Sequence, residues 1–165
     1  MHGNLSNMTS LYILRGDEVL MLYRRGSRAL VRDSWVGVGG HFEEFELNDA
    51  RACILREAEE EIGLLPDELA DLELRYIAVR AKKKEISQNY YFFAHLKDEA
   101  REFDGCSEGD LRWMPLSEAV KLDMPYTAKY VVQHFAETGR FTSDLYVLTA
   151  TEGGAEIVKA ALFEK

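Results

Sequence analysis

Gly40-His41-Phe42-Glu43-Glu44-Phe45-Glu46-Leu47-Asn48-Asp49-Ala50-Arg51-Ala52-Cys53-Ile54-Leu55-Arg56-Glu57-Ala58-Glu59-Glu60-Glu61-Ile62-Gly63-Leu64 is the stretch that orients the rest of the chain. Its second half has the period of an amphipathic helix, expected over about residues 48–62. Asn48 or Asp49 can cap the first turn, Gly63 suits the left-handed C-terminal position, and Pro66 stops any continuation. At about 100° per residue, Glu57, Glu60 and Glu61 fall within an arc of roughly 100°. Ile54, Leu55, Ala58, Ile62 and Leu65 fill the adjoining arc. Arg51 also falls there and does not fit, although in the first turn the chain can still lead it outward. Glu59 points away from the trio, towards solvent.

Carboxylates at i, i+3 and i+4 repel one another. Arg56, four residues before Glu60, offsets part of that repulsion, and the rest calls for a cation. Mg²⁺ and Mn²⁺ suit carboxylate and water oxygens. An acidic run on a surface helix is more often simply solvated. Three features weigh against that here: a glycine-rich segment upstream, Arg56 directly before Glu57, and a glycine stop after Glu61.

Working outward, Thr9 to Arg15 and Glu18 to Arg24 read as a hairpin around Gly16-Asp17. Residues 26–34 read as a basic, polar loop. Trp35-Val36-Gly37-Val38-Gly39-Gly40 lets backbone approach something closely. Leu72 to Ala81 and Ile86 to Leu96 read as two long strands joined through Lys82-Lys83-Lys84-Glu85. Asn89-Tyr90-Tyr91-Phe92-Phe93-Ala94 is apolar at successive positions, which predicts a central strand covered on both faces. Residues 97–110 form a polar acidic loop, Leu111 to Met114 a short strand, and Pro115-Leu116-Ser117 the start of a short helix. Ala128 to Glu137 is a helix stopped at Gly139. Leu145 to Thr151 and Glu156 to Phe163 can pair across Gly153-Gly154, with a helix as the alternative for the second. The order β-β-α-β-β-β-α predicts an α/β fold, a mixed sheet with helices on its faces. One domain is expected over residues 1–165, with a core of about 8–138. The segment 139–165 reads as a C-terminal extension: a lid, a dimer contact or an extra hairpin.

The 165 residues carry 29 acidic and 20 basic side chains, a net charge of −9. This excludes a protein whose main task is to coat nucleic acid, because such affinity rests on basic surface, and it argues against an anionic membrane surface. Between Gly40 and Glu61 there are eight acidic and two basic side chains, so most of the imbalance sits on one segment. A bound divalent cation reverses the local sign, so a phosphate-bearing partner stays in play. No apolar run approaches the roughly 20 residues needed to cross a bilayer, and the first residues lack the layout of a secretory signal. Cys53 and Cys106 form no C-x-x-C pair, which argues against zinc and fits free thiols in a reducing cytoplasm. Met8 is an alternative start.

Arg56-Glu57-Ala58-Glu59-Glu60-Glu61-Ile62-Gly63-Leu64 resembles the second half of the Nudix box, R-E-U-x-E-E-x-G-U with U aliphatic, and Gly40 and Glu46 match its first half, G-x5-E. The family pattern has seven residues before R-E; this chain has nine, Leu47 to Leu55, a two-residue insertion. The strand order is similar to the Nudix α/β/α sandwich across roughly residues 8–125. The resemblance implies a hydrolase of nucleoside diphosphates linked to another group, dependent on Mg²⁺ or Mn²⁺. Glu57, Glu60 and Glu61 would then bind metal, with the carbonyl of Gly40. Arg56 would orient the glutamates and Glu46 would sit in an outer shell, a place the insertion puts in question. The base varies in the family; Glu57 and Glu60 are candidates, as are Glu108 and Asp110 on the later loop.

Arg24, Arg25, Arg28 and Arg32 cluster near the glycine-rich turn. Guanidinium suits phosphate, and Arg25, with Arg24 beside it, is the substrate candidate; a solubilising surface is the plain alternative. Trp35, Phe42, Tyr91 and Trp113 can stack on a base or simply fill the core. His41 and His95 read as structural. The glycine-rich run resembles members that clear oxidised nucleoside triphosphates such as 8-oxo-dGTP; ADP-ribose, nucleotide sugars and dinucleoside polyphosphates are alternatives. A non-catalytic nucleotide-binding domain on the same fold is the rival class, and retention of all three glutamates argues against it. Isopentenyl diphosphate isomerase, a related fold, needs a catalytic cysteine, for which neither Cys53 nor Cys106 is well placed. The expected partner is a nucleotide; a homodimer is compatible with the sequence.

Overall fold

The computed structural model describes residues 3–25, 33–82, 84–106 and 108–161. Arg28, Arg32 and Phe163 lie outside them. Strands β1 (Asn4–Arg15), β2 (Glu18–Arg24) and β3 (Ser34–Val36) precede helix α1 (Ala50–Ile62). Then come β4 (Leu69–Lys82), β5 (Glu85–Leu96), β6 (Gly109–Pro115), α2 (Leu116–Ala119), α3 (Tyr126–Glu137), β7 (Tyr146–Ala150) and β8 (Ala155–Lys159). The strands form one mixed sheet in the order β3-β2-β1-β5-β4-β7-β8, with β6 on β2.

The turn at Gly16 (φ 56°) folds β2 back on β1 through Leu14–Val19 and Arg15–Glu18. β1 then runs parallel to β5 in unbroken register from Asn4–Glu85 to Leu14–His95. That pairing draws β1 upstream of the expected Thr9. β5 lies between β1 and β4, so its side chains alternate into two cores. Tyr91 and Phe93 face the α3 side, and Phe92 and Ala94 the α1 side. The result is an α/β/α sandwich.

On the α3 side, Ala128, Val131, Val132 and Phe135 follow helical spacing and meet Tyr12, Tyr76 and Phe93; the Phe93 and Phe135 rings stack at 3.7 Å. On the α1 side, Ile54, Ala58 and Ile62 pack on Leu11, Ile13, Leu20 and Phe92. Ile54 is wholly buried, and truncating such a side chain to Ala costs about 2–5 kcal/mol.

Residues 34–36, read in sequence as the junction of a loop and a glycine-rich turn, form a short strand on β2. Leu65 lies beyond the end of α1 and is exposed, so it takes no part in the helix's apolar face. The segment after Gly139 forms a hairpin: β7 adds parallel to β4, and β8 pairs antiparallel with β7. Its second arm is a strand, not a helix. Among the described residues no helix is long and apolar enough to cross a membrane.

Candidate active site

The site is built where α1 passes the glycine-rich run. Asp49 caps the helix by accepting the Ala52 N–H at 2.9 Å, and Gly63 closes it at φ 64°. Residues 37–42 run beside the first half of β1. Thr9 N–H donates to the Gly40 carbonyl at 2.8 Å, and Phe42 N–H to the Asn7 carbonyl at 3.2 Å. Two glycines permit this approach. A Cβ on Gly37 would lie 2.6 Å from the Leu11 carbonyl oxygen. One on Gly39 (φ 144°) would lie 2.3 Å from that of Thr9. A Cβ on Gly40 would meet the Glu57 carboxylate at 2.6–2.7 Å. The bare backbone at Gly40 thus leaves room for Glu57.

Glu61, 8% exposed, accepts the Gly39 N–H at 3.1 Å. Burial pushes its carboxyl up to about 7, and the nearby Glu108 and Glu57 charges add to this against the Gly39 N–H and Arg24. Glu57 is largely shielded, whereas the Glu60 side chain is 60% exposed. Glu59 is exposed and takes no part.

Two arginines tie the carboxylates together. Arg56 donates from Nη1 to Glu57 at 2.9 Å and to Glu60 at 3.0 Å. Its Nε and Nη2 grip Glu46 at 2.7 and 2.8 Å, and Nη2 also reaches the His41 carbonyl at 3.1 Å. Glu46 is 1% exposed. The Arg56 guanidinium holds its carboxyl down at about 2, against the cost of burial. Arg24 meets Glu61 at 3.3 Å and Glu108 at 2.5 Å.

Glu57, Glu61, Glu108, Arg24, Arg56, Gly40, His41 and Phe42 line one cavity of about 360 Å³. A second, of about 440 Å³, adjoins it through Met8, Arg24, Gly39 and His41. It runs between β1, β5 and the start of α3, past Ser10, Asn89, Tyr126 and Thr127.

Several candidates fall elsewhere. Trp113 packs near Phe103 with the Arg15 guanidinium 4.2 Å above its ring, and Trp35 tilts against Tyr23 at 5.0 Å. Neither lines the two cavities, because alternation along β6 and β3 sends both side chains into packing. Arg25 and Asp110 pair with each other, both well exposed, outside the cavity lining. Phe42 lies at the site's edge against Tyr90. Tyr91, by contrast, is buried in the wall of the wider cleft, its hydroxyl against Thr127 Oγ1. Cys53 is buried against Thr9 Oγ1 at 3.3 Å, and burial raises its thiol to about 11.

Glu57, Glu61 and the Gly40 carbonyl offer oxygen donors, the kind that Mg²⁺ or Mn²⁺ takes. The space kept by Gly40 fits that chemistry. Among the described residues, no three acidic, His or Cys side chains converge on a single point in this conformation.

A helix with Glu57 and Glu61 against a glycine-rich turn and a fork from Arg56 to Glu46 is the decisive pattern, and the NUDIX domain model matches residues 7–135. The chain belongs to the Nudix hydrolase family. Its fold is similar to the mutator MutT protein of Bacillus halodurans, at 20% identity over 92% of this chain and 97% of that one, TM-score 0.65. A Caenorhabditis elegans Ap4A hydrolase aligns at 18% identity over 84% and 99%, TM-score 0.63. The Nudix domain of Shewanella oneidensis NrtR, complexed with ADP ribose, aligns at 18% over 86% and 90%, TM-score 0.62. No curated protein sequence matches the chain.

The adjoining cleft is lined by residues that sequence reading passed over. Ser10 and Asn89 bond to each other across β1 and β5, with the Asn89 amide donating to Ser10 Oγ at 3.2 Å. Only the strand register brings them together, and no local motif marks them.

Proposed function

We propose that the protein is a Mg²⁺- or Mn²⁺-dependent pyrophosphohydrolase that cleaves a nucleoside diphosphate linked to another group. Nucleoside triphosphates, including 8-oxo-dGTP, are the preferred class. The observation that carries this reading is the facing pair of Glu57 and Glu61 against the Gly39-Gly40 backbone, with Glu60 on the same edge of α1. Glu57, Glu60, Glu61 and the Gly40 carbonyl would hold the metal. That carbonyl already accepts from Thr9 N–H but keeps a second lone pair. Bound there, the ion supplies charge neutralisation of phosphate and an acidified water.

The chain's own residues do the rest. Arg56, clamped by Glu46, fixes Glu57 and Glu60. Glu108 stands in the same cavity as Glu57 and Glu61 and is the loop carboxylate placed to accept a proton. The nucleoside end has room in the adjoining cleft, where Asn89 and Ser10 offer neutral donors and acceptors. Two free cysteines fit a cytoplasmic enzyme.

The test is a panel of nucleoside triphosphates (8-oxo-dGTP among them), ADP-ribose, nucleotide sugars and dinucleoside polyphosphates, with and without Mg²⁺. Metal-dependent hydrolysis of at least one is expected. Nucleotide binding without turnover of any would replace this reading with that of a binding domain.

A further inference from the structure

The two arginines of the site are held in different ways. Arg56 is anchored on a buried carboxylate and a backbone carbonyl, and it uses Nε, Nη1 and Nη2. Among the described residues, Arg24 uses one nitrogen. Its Nη2 serves the Gly39 carbonyl at 3.4 Å, Glu61 at 3.3 Å and Glu108 at 2.5 Å. Its Nε is buried and meets no partner among the described residues. Its side chain stands where the acidic cavity and the wider cleft join, lining both. A guanidinium with an idle, desolvated N–H and three acceptors crowded on one nitrogen is poorly satisfied where it is. A turn toward the cleft would cost it little beyond the pull of two carboxylates.

Resting on the metal-site reading above, we propose that Arg24 is a built-in stand-in cation. It occupies Glu61, with Glu108 on its other side, and so competes with a divalent cation for Glu61. The argument is electrostatic. Glu61 is nearly buried and lines one cavity with Glu57 and Glu108, so carboxylates gathered there need a positive partner. Arg24 supplies it and holds the acidic pocket together in the absence of a second cation. A divalent ion at Glu61 brings twice the charge and makes Arg24 superfluous there, since guanidinium and metal repel. The displaced guanidinium then has the cleft to turn into. Arg24 is thus a positioning residue that sets how readily the site takes metal. It couples metal entry to the freeing of a cation for an anionic ligand in the cleft.

The experiment is Mn²⁺ binding by electron paramagnetic resonance or calorimetry, without nucleotide, on wild type, Arg24→Met and Arg24→Lys. Arg15→Met is the control for loss of one positive charge, because Arg15 pairs with Glu18 and Glu102 away from the lining of either cavity. Thermal unfolding checks that each variant is folded. Arg24→Met is expected to bind Mn²⁺ at least several-fold tighter than wild type. Arg24→Lys, which keeps the charge, stays near wild type, and Arg15→Met shows no comparable gain. If wild type binds Mn²⁺ and Arg24→Met binds it equally or more weakly, competition is overturned while the metal reading stands. Should Arg24→Met fail to fold, Arg24→Gln carries the same expectation. If no variant binds Mn²⁺, both the metal site and the competition fall.

Discussion

Arg56 donates two hydrogen bonds to the two carboxylate oxygens of Glu46, from Nε at 2.7 Å and Nη2 at 2.8 Å. The pair joins the helix to the turn before it, across the nine residues Leu47 to Leu55. Arg56 then has Nη1 free for Glu57 and Glu60, so the geometry of two proposed metal ligands rests on a contact made by neither.

Breaking this fork leaves a buried carboxylate without its cation, a change that costs about 3–5 kcal/mol. Arg56→Met is expected to lower unfolding free energy by that order in urea titration. Arg56→Lys recovers only part, because an ammonium cannot reproduce the two-pronged geometry. A loss below about 1 kcal/mol would place the pair among ordinary surface bridges.

The same fork has a pH signature. Glu46 titrates at about 2 in the folded protein against 4.5 for a free carboxyl, chiefly through Arg56. A depressed folded value means its stabilisation is complete above pH 4.5 and is lost as pH falls through about 2. Glu46→Gln removes that titration. The gap in unfolding free energy between wild type and Glu46→Gln should therefore narrow as pH drops from 4.5 towards 2. A gap independent of pH in this window would contradict the assignment.

Neighbouring glycines should fail differently. A Cβ at Gly39 meets the Thr9 backbone at a positive φ, so Gly39→Ala is expected to cost stability, about 1–3 kcal/mol. At Gly40 the Cβ meets the Glu57 carboxylate, which can swing aside. Gly40→Ala should keep most of its melting temperature and lose Mn²⁺ affinity. Equal loss of stability in both variants would refute the distinction.

If the wider cleft takes the nucleoside, Asn89→Leu should raise KM with little change in kcat, as loss of uniform binding does. A fall in kcat at constant KM would move Asn89 from binding to the chemical step.

The sequence carried helix α1 almost whole. Asp49 and Gly63 cap it by local chemistry, and helical period alone puts Glu57, Glu60 and Glu61 on one edge. The β1–β2 hairpin and the two-faced strand β5 were legible for the same reason: turn chemistry and side-chain alternation are local. What sequence missed depends on register between distant segments. Arg24, not Arg25, reaches the glutamates because β2 pairs with β6 and brings Arg24 opposite Gly109, next to Glu108. Trp113 reads as a stacking platform or as core, and its place in that ladder sets it half-buried near Phe103. Ser10 and Asn89 meet only through parallel β1–β5 pairing, which no spacing in the chain announces.

The central claim is that the carboxylates of α1 run a metal-dependent hydrolysis. Its most direct test is kcat in Mg²⁺ for wild type and Glu61→Gln on the best nucleotide of the panel. Glutamine keeps the shape and removes the charge. The account predicts a fall of at least about a hundredfold, the scale of losing metal-based catalysis. Turnover within about twofold of wild type would contradict it.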